Sequence, residues 1–192
     1  MMFAILPLLL AVLSLQPQPA ISTGTLYPGG TLVGVDGIIV EESPSEPLTE
    51  PLIITIERID INDYPRLRDT PIPNTLTRLQ DSQYLIKVMP FEDTSEMVSV
   101  DLDISLSVPS DVPTDAIAVL SFNPAESQMP PGYMPPSRTP PREFPQIGER
   151  EDFWSGQSGY ANESGTHVRF STGFPLGSRR FYGLGHNVNF CD

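Results

Sequence analysis

The sequence predicts an all-β fold, an antiparallel sandwich of about seven to eight short strands with Pro-rich loops on its surface. Three observations carry this. Residues 97–108, MVSVDLDISLSV, alternate strictly: Val98, Val100, Leu102, Ile104, Leu106 and Val108 take one face, and Ser99, Asp101, Asp103, Ser105 and Ser107 take the other. Such a strand has one buried face and one wet face. Strand-length apolar runs recur along the chain with turn signals between them, and helical periodicity is nearly absent.

Taken in order, the strand candidates are 31–34, 37–42, 52–61, 83–89, 97–108, 116–122, 166–171 and 180–184. Gly29–Gly30, Asp36–Gly37, Pro109–Asp111 and Gly173–Gly177 supply the turns between them. In LIITIERIDI the alternation changes phase, since Ile54 and Ile56 share one face while Ile59 and Ile61 fall on the other. A bulge at Glu57–Arg58 would return all four to one side. NTLTRLQD at 74–81 reads as a short helix capped by Asn74. Jelly-roll and immunoglobulin-like strand orders both remain open.

Two segments break the pattern. SPSEPLTEP at 43–51 is a Pro-rich loop. Residues 124–145 are denser still in proline, which can neither donate to a ladder nor continue a helix, so they read as a surface excursion. Within it, PPGY at 130–133 matches a pattern read by intracellular WW domains.

The chain has 192 residues, enough for one domain. Met1–Gln16 carries no charge, and its apolar run from Phe3 to Leu15 suits a signal peptide better than a membrane span. Ala20 and Ser22 are the small residues that predict cleavage before Thr23. The expected product is residues 23–192, secreted or held at a cell surface (the periplasm in a bacterium), with no membrane insertion after cleavage. Cys191 stands alone, so it cannot form an intrachain disulfide.

Charge narrows the partners. Asp and Glu number 24 against 11 Lys and Arg, and a net charge of −13 repels phosphate backbones. Nucleic acid is therefore disfavoured, and a protein or cell-envelope surface is the expected partner.

Little in the chain looks like chemistry. Asp60, Asn62 and Asp63 crowd the end of the Ile-rich run and are the one candidate metal site, for calcium. Calcium needs six to eight oxygens, and three side chains supply too few, so an Asx-turn before Pro65 is the expectation and no cofactor is required. Asp101 and Asp103 share a face at the spacing of a carboxylate pair, but their serine neighbours make that face a solvent face. His167 and His186 follow no nucleophile elbow, and no phosphate loop or Cys/His metal spacing occurs. No catalytic residue is assigned. Asn162, in Asn-Glu-Ser, is a glycosylation acceptor if the source is a eukaryote.

ITIERIDINDYP resembles the calcium-binding linker of cadherins, although Pro65 comes one residue early. GGTLVGVDGIIVEES with PLIITIER, a lone Trp154 in a loop, THVRFSTGF and RFYGL resembles the β-sandwich domain shared by ankyrins, netrin receptors and bacterial surface proteins. Some members of that family cleave themselves at His-Phe-Ser. Phe170–Ser171 matches the last two positions, but Arg169 holds the place of the His and cannot act as base, so the resemblance implies no self-cleavage here. Together these features imply a non-enzymatic structural or adhesive module. The alternatives are a calcium-dependent adhesion module, an envelope or viral coat component, and, least supported, a secreted hydrolase.

Overall fold

The computed structural model describes residues 20–92, 98–113, 116–124 and 152–187. The signal-like run, most of the Pro-rich excursion and Cys191 lie outside them. The strands are β1 (Ile21–Leu26), β2 (Thr31–Val33), β3 (Ile39–Glu42), β4 (Leu52–Arg58), β5 (Leu76–Pro90) and β6 (Ser99–Ser107). After these come β7 (Ile117–Asn123), β8 (Phe153–Ser158), β9 (Tyr160–Ala161), β10 (His167–Pro175) and β11 (Arg179–Asn187). One short helix, α1 (Pro65–Asp69), follows β4.

The strands form two antiparallel sheets, one ordered β1-β4-β5-β11-β7-β8 and the other β2-β3-β6-β10-β9. The expected sandwich is therefore present, with more strands than the turn signals announced. Between the sheets lies the main core, where Ile54, Ile56, Ile86 and Val88 face Val100, Leu102, Ile104, Leu106, Phe170 and Phe174. Each such side chain contributes about 1.5–3 kcal/mol of burial. The alternation of β6 sets its inner face as expected from Val100 to Leu106. Val98, in contrast, is 83 % exposed and lies before the strand.

No bulge interrupts β4, which pairs β5 in unbroken register from Leu52↔Pro90 to Arg58↔Tyr84. The phase change has a different cause. Ile54 and Ile56 enter the main core, whereas Ile59 and Ile61 turn to the opposite side of the six-stranded sheet and join a second core with Leu67, Leu85, Leu120, Phe122 and Trp154. The segment from Ile59 to Leu76 lies over that outer face as a third layer. Its fold follows from local chemistry. Asp60 caps a 3₁₀ turn, Ile61–Asp63, by accepting the Asn62 backbone N–H, and Pro65 starts α1 where its missing N–H costs nothing.

Residues 74–81 are not helical. Leu76 begins β5 opposite Asn187, with Thr77 opposite His186 and Arg78 opposite Gly185. Leu76 and Leu79 are an odd number of residues apart, so in a strand they serve the second and the main core respectively. Both sides being apolar outweighs the helix preference of the segment. Register then shifts between Gly183 and Gly185. Buried Gln83 donates to the Leu79 carbonyl there, and a Cβ at Gly183 would sit 2.3 Å from the Gln83 amide oxygen. Trp154 is likewise not in a loop: it is buried in β8 and donates its indole N–H to the Leu67 carbonyl at 3.0 Å.

β1 begins upstream of the expected cleavage point. Ile21 pairs Glu57 and Ser22 pairs Ile56, the Ser22 hydroxyl accepts the Val35 N–H, and the Ala20 carbonyl accepts the Arg58 N–H. Cleavage before Thr23 would remove these contacts. Glu42 organises the Pro-rich loop 43–51: its carboxylate accepts the Leu48 N–H, and hydrogen bonds from the Gly29 and Leu48 backbones hold it below the usual carboxylate range.

The outer face of the five-stranded sheet is not uniformly wet. Asp103 is only 6 % exposed, which corrects its assignment to solvent. It stands directly opposite Glu41 on β3 and Ser171 on β10. Two acids across a ladder repel, and Arg169 resolves this by reaching Asp103 at 2.6 Å and Glu41 at 3.5 Å. Arg169→Ala should therefore cost about 1–3 kcal/mol, because it leaves the buried Asp103 carboxylate short of a charged donor. Asp101→Asn, on a half-exposed position with no such partner among the described residues, should change stability by less than about 0.5 kcal/mol. Chemical denaturation of both variants decides this, and equal losses would contradict the assignment.

Candidate functional site

A groove of about 500 Å³ opens where the third layer meets the β7 and β11 ends of the six-stranded sheet. Its lining includes Asp63, Tyr64, Arg66, Phe122, Asn123, Arg179, Arg180 and Phe181. Each comes from a separate local cause. Tyr64 is placed by the turn that Asp60 caps, Phe122 by the alternation of β7, and Arg179–Phe181 by the turn at Pro175–Ser178 that opens β11.

The walls are aromatic. Phe181 meets Tyr64 edge-on at 5.7 Å and Phe122 at 6.2 Å, while Phe122 meets Trp154 at 5.2 Å. Behind them, the Arg78 guanidinium lies 5.0 Å over the Trp154 ring. At the rim, Arg66 forms a two-pronged ion pair with Asp152, which ties α1 to the start of β8. The Tyr64 hydroxyl is held above its usual pKa chiefly by burial, then by the Glu57 and Asp63 charges, with Arg179 opposing them. It stays a neutral donor at any physiological pH. The groove is thus apolar at its walls and ionic at its lip, the composition typical of a ligand site.

The structure divides the residues proposed for calcium. Asp60 Oδ1 accepts both the backbone N–H and the side-chain amide of Asn62, each at 2.9 Å, so the expected Asx-turn is present. Asp60 and Asn62 line a smaller hollow of about 250 Å³ together with Asp81 and Arg58. Asp63 instead belongs to the lip of the groove. Among the described residues no group of three or more His, Cys, Asp or Glu is arranged to hold a metal ion.

Phe170 and Ser171 lie within a regular strand. β10 pairs β6 at nine successive positions, from His167↔Ser107 to Pro175↔Ser99. Phe170 points into the main core, and the Ser171 hydroxyl donates to Asp103. Asn162 is exposed in the turn before β10, but its side chain is engaged: Oδ1 accepts the Thr166 and His167 N–H groups, and Nδ2 reaches Thr166 Oγ1 at 3.1 Å.

One contact had no signal in the sequence. His167 Nε2 lies 3.3 Å from Ser107 Oγ, the distance of a base and a nucleophile. The chemistry does not follow. Nε2 is also 3.1 Å from the Gly37 carbonyl, which can only accept, so that nitrogen carries the proton. Ser107 meanwhile donates to the Asp36 carbonyl at 2.6 Å. The pair fastens β10 to the turn at Val35–Gly37.

No family model, curated protein or solved structure matches the chain. No helix among the described residues is long and apolar enough to cross a membrane.

Calcium should leave the melting temperature unchanged, because the Asp60 carboxylate is spent on its own turn and Asp63 faces elsewhere. Differential scanning fluorimetry with millimolar calcium and with chelator measures this. A rise of several degrees that vanishes in the Asp60→Asn, Asp63→Asn double variant would overturn it.

Proposed function

We propose that the chain is a secreted, non-enzymatic binding module of structural or adhesive type, and that it meets a protein or cell-envelope partner through the groove beneath α1. The observation that carries this is the composition of the groove. Tyr64, Phe122 and Phe181 offer a preformed aromatic wall, and arginine stands at the lip, the residue types that dominate binding energy at protein contacts. Among the described residues the lining has no His or Cys to act as base or nucleophile. Secretion rests on the apolar run from Phe3 to Leu15, since cleavage before Thr23 would cost β1 its pairing at Ile21 and Ser22. The resemblance to the sandwich domain of ankyrins, netrin receptors and bacterial surface proteins supports the adhesive reading, through the turns at Gly29–Gly30 and Asp36–Gly37.

The test is retention of surface proteins from the source organism on immobilised protein. Arg179→Glu, exposed at the lip, should weaken capture of the specific partner about tenfold, equivalent to ~1.4 kcal/mol, with an unchanged circular dichroism spectrum. Equal capture by wild type and variant would remove the groove from the interaction.

A further inference from the structure

We propose that the groove is the docking site for this chain's own proline-rich segment, and that PPGYMPP at 130–136 is what it holds. This goes beyond the binding reading above, which concerns a partner and does not require it. The first observation is where the segment leaves and returns. The described residues run to Pro124, which lines the groove, and resume at Asp152, whose ion pair with Arg66 fastens it to the same lip. Asn123 and Phe153 are direct partners across the β7–β8 ladder, so the two ends lie side by side at the groove's edge. Residues 125–151 therefore begin and end beside it. Extended chain from Pro124 to Pro130 spans up to about 20 Å, more than the width of a cavity of about 500 Å³.

The second observation is the chemistry of the walls. Tyr64, Phe122 and Phe181 meet edge to face, and aromatic-lined grooves take polyproline II segments. Such a segment brings proline rings to pack and carbonyls that no internal hydrogen bond satisfies, so it asks for donors. The groove has them. The Ser178 hydroxyl is buried with no hydrogen-bond partner among the described residues, and the Tyr64 hydroxyl stays protonated. Charge selects within the segment. Residues 130–136 carry none, whereas Arg138, Arg142 and Glu143 follow them, and an uncharged run suits an apolar wall whose lip already carries Asp63 and Arg179. Tethering favours the chain's own segment over any other source. Covalent attachment supplies an effective concentration in the millimolar range, whereas a second copy must approach against the same net charge of −13. A partner that uses the groove has to displace this segment first.

The test titrates the peptide acetyl-PPGYMPP-amide into the full chain by isothermal titration calorimetry. Wild type is compared with a quadruple variant, Pro130→Ala, Pro131→Ala, Pro135→Ala and Pro136→Ala. With its own segment disabled, the variant should bind the peptide at least tenfold tighter than wild type does. Adding Tyr64→Ala to the variant should erase that binding with an unchanged circular dichroism spectrum. Equal affinities of wild type and quadruple variant would overturn the proposal, and so would no binding by the variant at millimolar peptide. A wild type that sediments as a dimer while the variant sediments as a monomer would assign the segment to a second copy and overturn it too. Any of these, with partner capture still sensitive to Arg179→Glu, would remove the chain's own segment from the groove and leave the binding reading standing.

Discussion

The six-stranded sheet is apolar on both faces, and the rest of the structure follows from that constraint. Ile54, Ile56 and Ile86 fill the space between the sheets, while Leu85, Leu120 and Phe122 point the other way. A two-layer sandwich would leave the second set in water. Leaving side chains of this kind exposed forfeits about 1.5–3 kcal/mol each, so the chain spends Ile59 to Leu76 on a cover. The crossing happens at Arg58–Ile59, where β4 ends. The cover is then held by contacts that are distant in sequence: the Trp154 indole and the Arg78 guanidinium on the Leu67 carbonyl, and Arg66 on Asp152. The groove is the gap where this cover stops short of the sheet's end.

The main core was legible because it is written in local alternation. From Val100 to Leu106 every second residue is apolar, and the turns at Gly29–Gly30 and Asp36–Gly37 carry the positive φ angles that glycine and aspartate accept. The third layer was half legible. The phase change at Ile59 was visible, but a bulge and a change of face leave the same trace in a sequence. Residues 74–81 were misread for a related reason: leucines three apart suit one helix face, and equally suit a strand buried on both sides. β8 escaped because serine and glycine surround its single anchor, Trp154. β1 escaped because it begins where the leader-like run ends.

The site itself could not be read from the chain. Tyr64, Phe122 and Arg179 are far apart in sequence and converge only through the sheet order β5-β11-β7 and the cover above it. The acidic trio drew attention by proximity, yet Asp60 and Asn62 serve their own turn and only Asp63 reaches the groove. Charge shows the same contrast. The net charge of −13 describes the surface as a whole, whereas the beginning of β11 is locally basic.

The central claim is that residues 59–72 form a fixed layer on the sheet and not a loose connection. Native-state hydrogen exchange of single amides tests it most directly. The Tyr64, Leu67 and Arg68 N–H groups donate to Ile61, Tyr64 and Tyr64 carbonyls respectively, within the cover alone. In an isolated turn such bonds open freely. Packed against Leu85, Phe122 and Trp154, they should exchange at least about a hundredfold more slowly than in a free peptide, a protection of ~2.7 kcal/mol. Exchange of Leu67 and Arg68 at the free-peptide rate, with Ile86 still protected, would contradict the layer and the groove together.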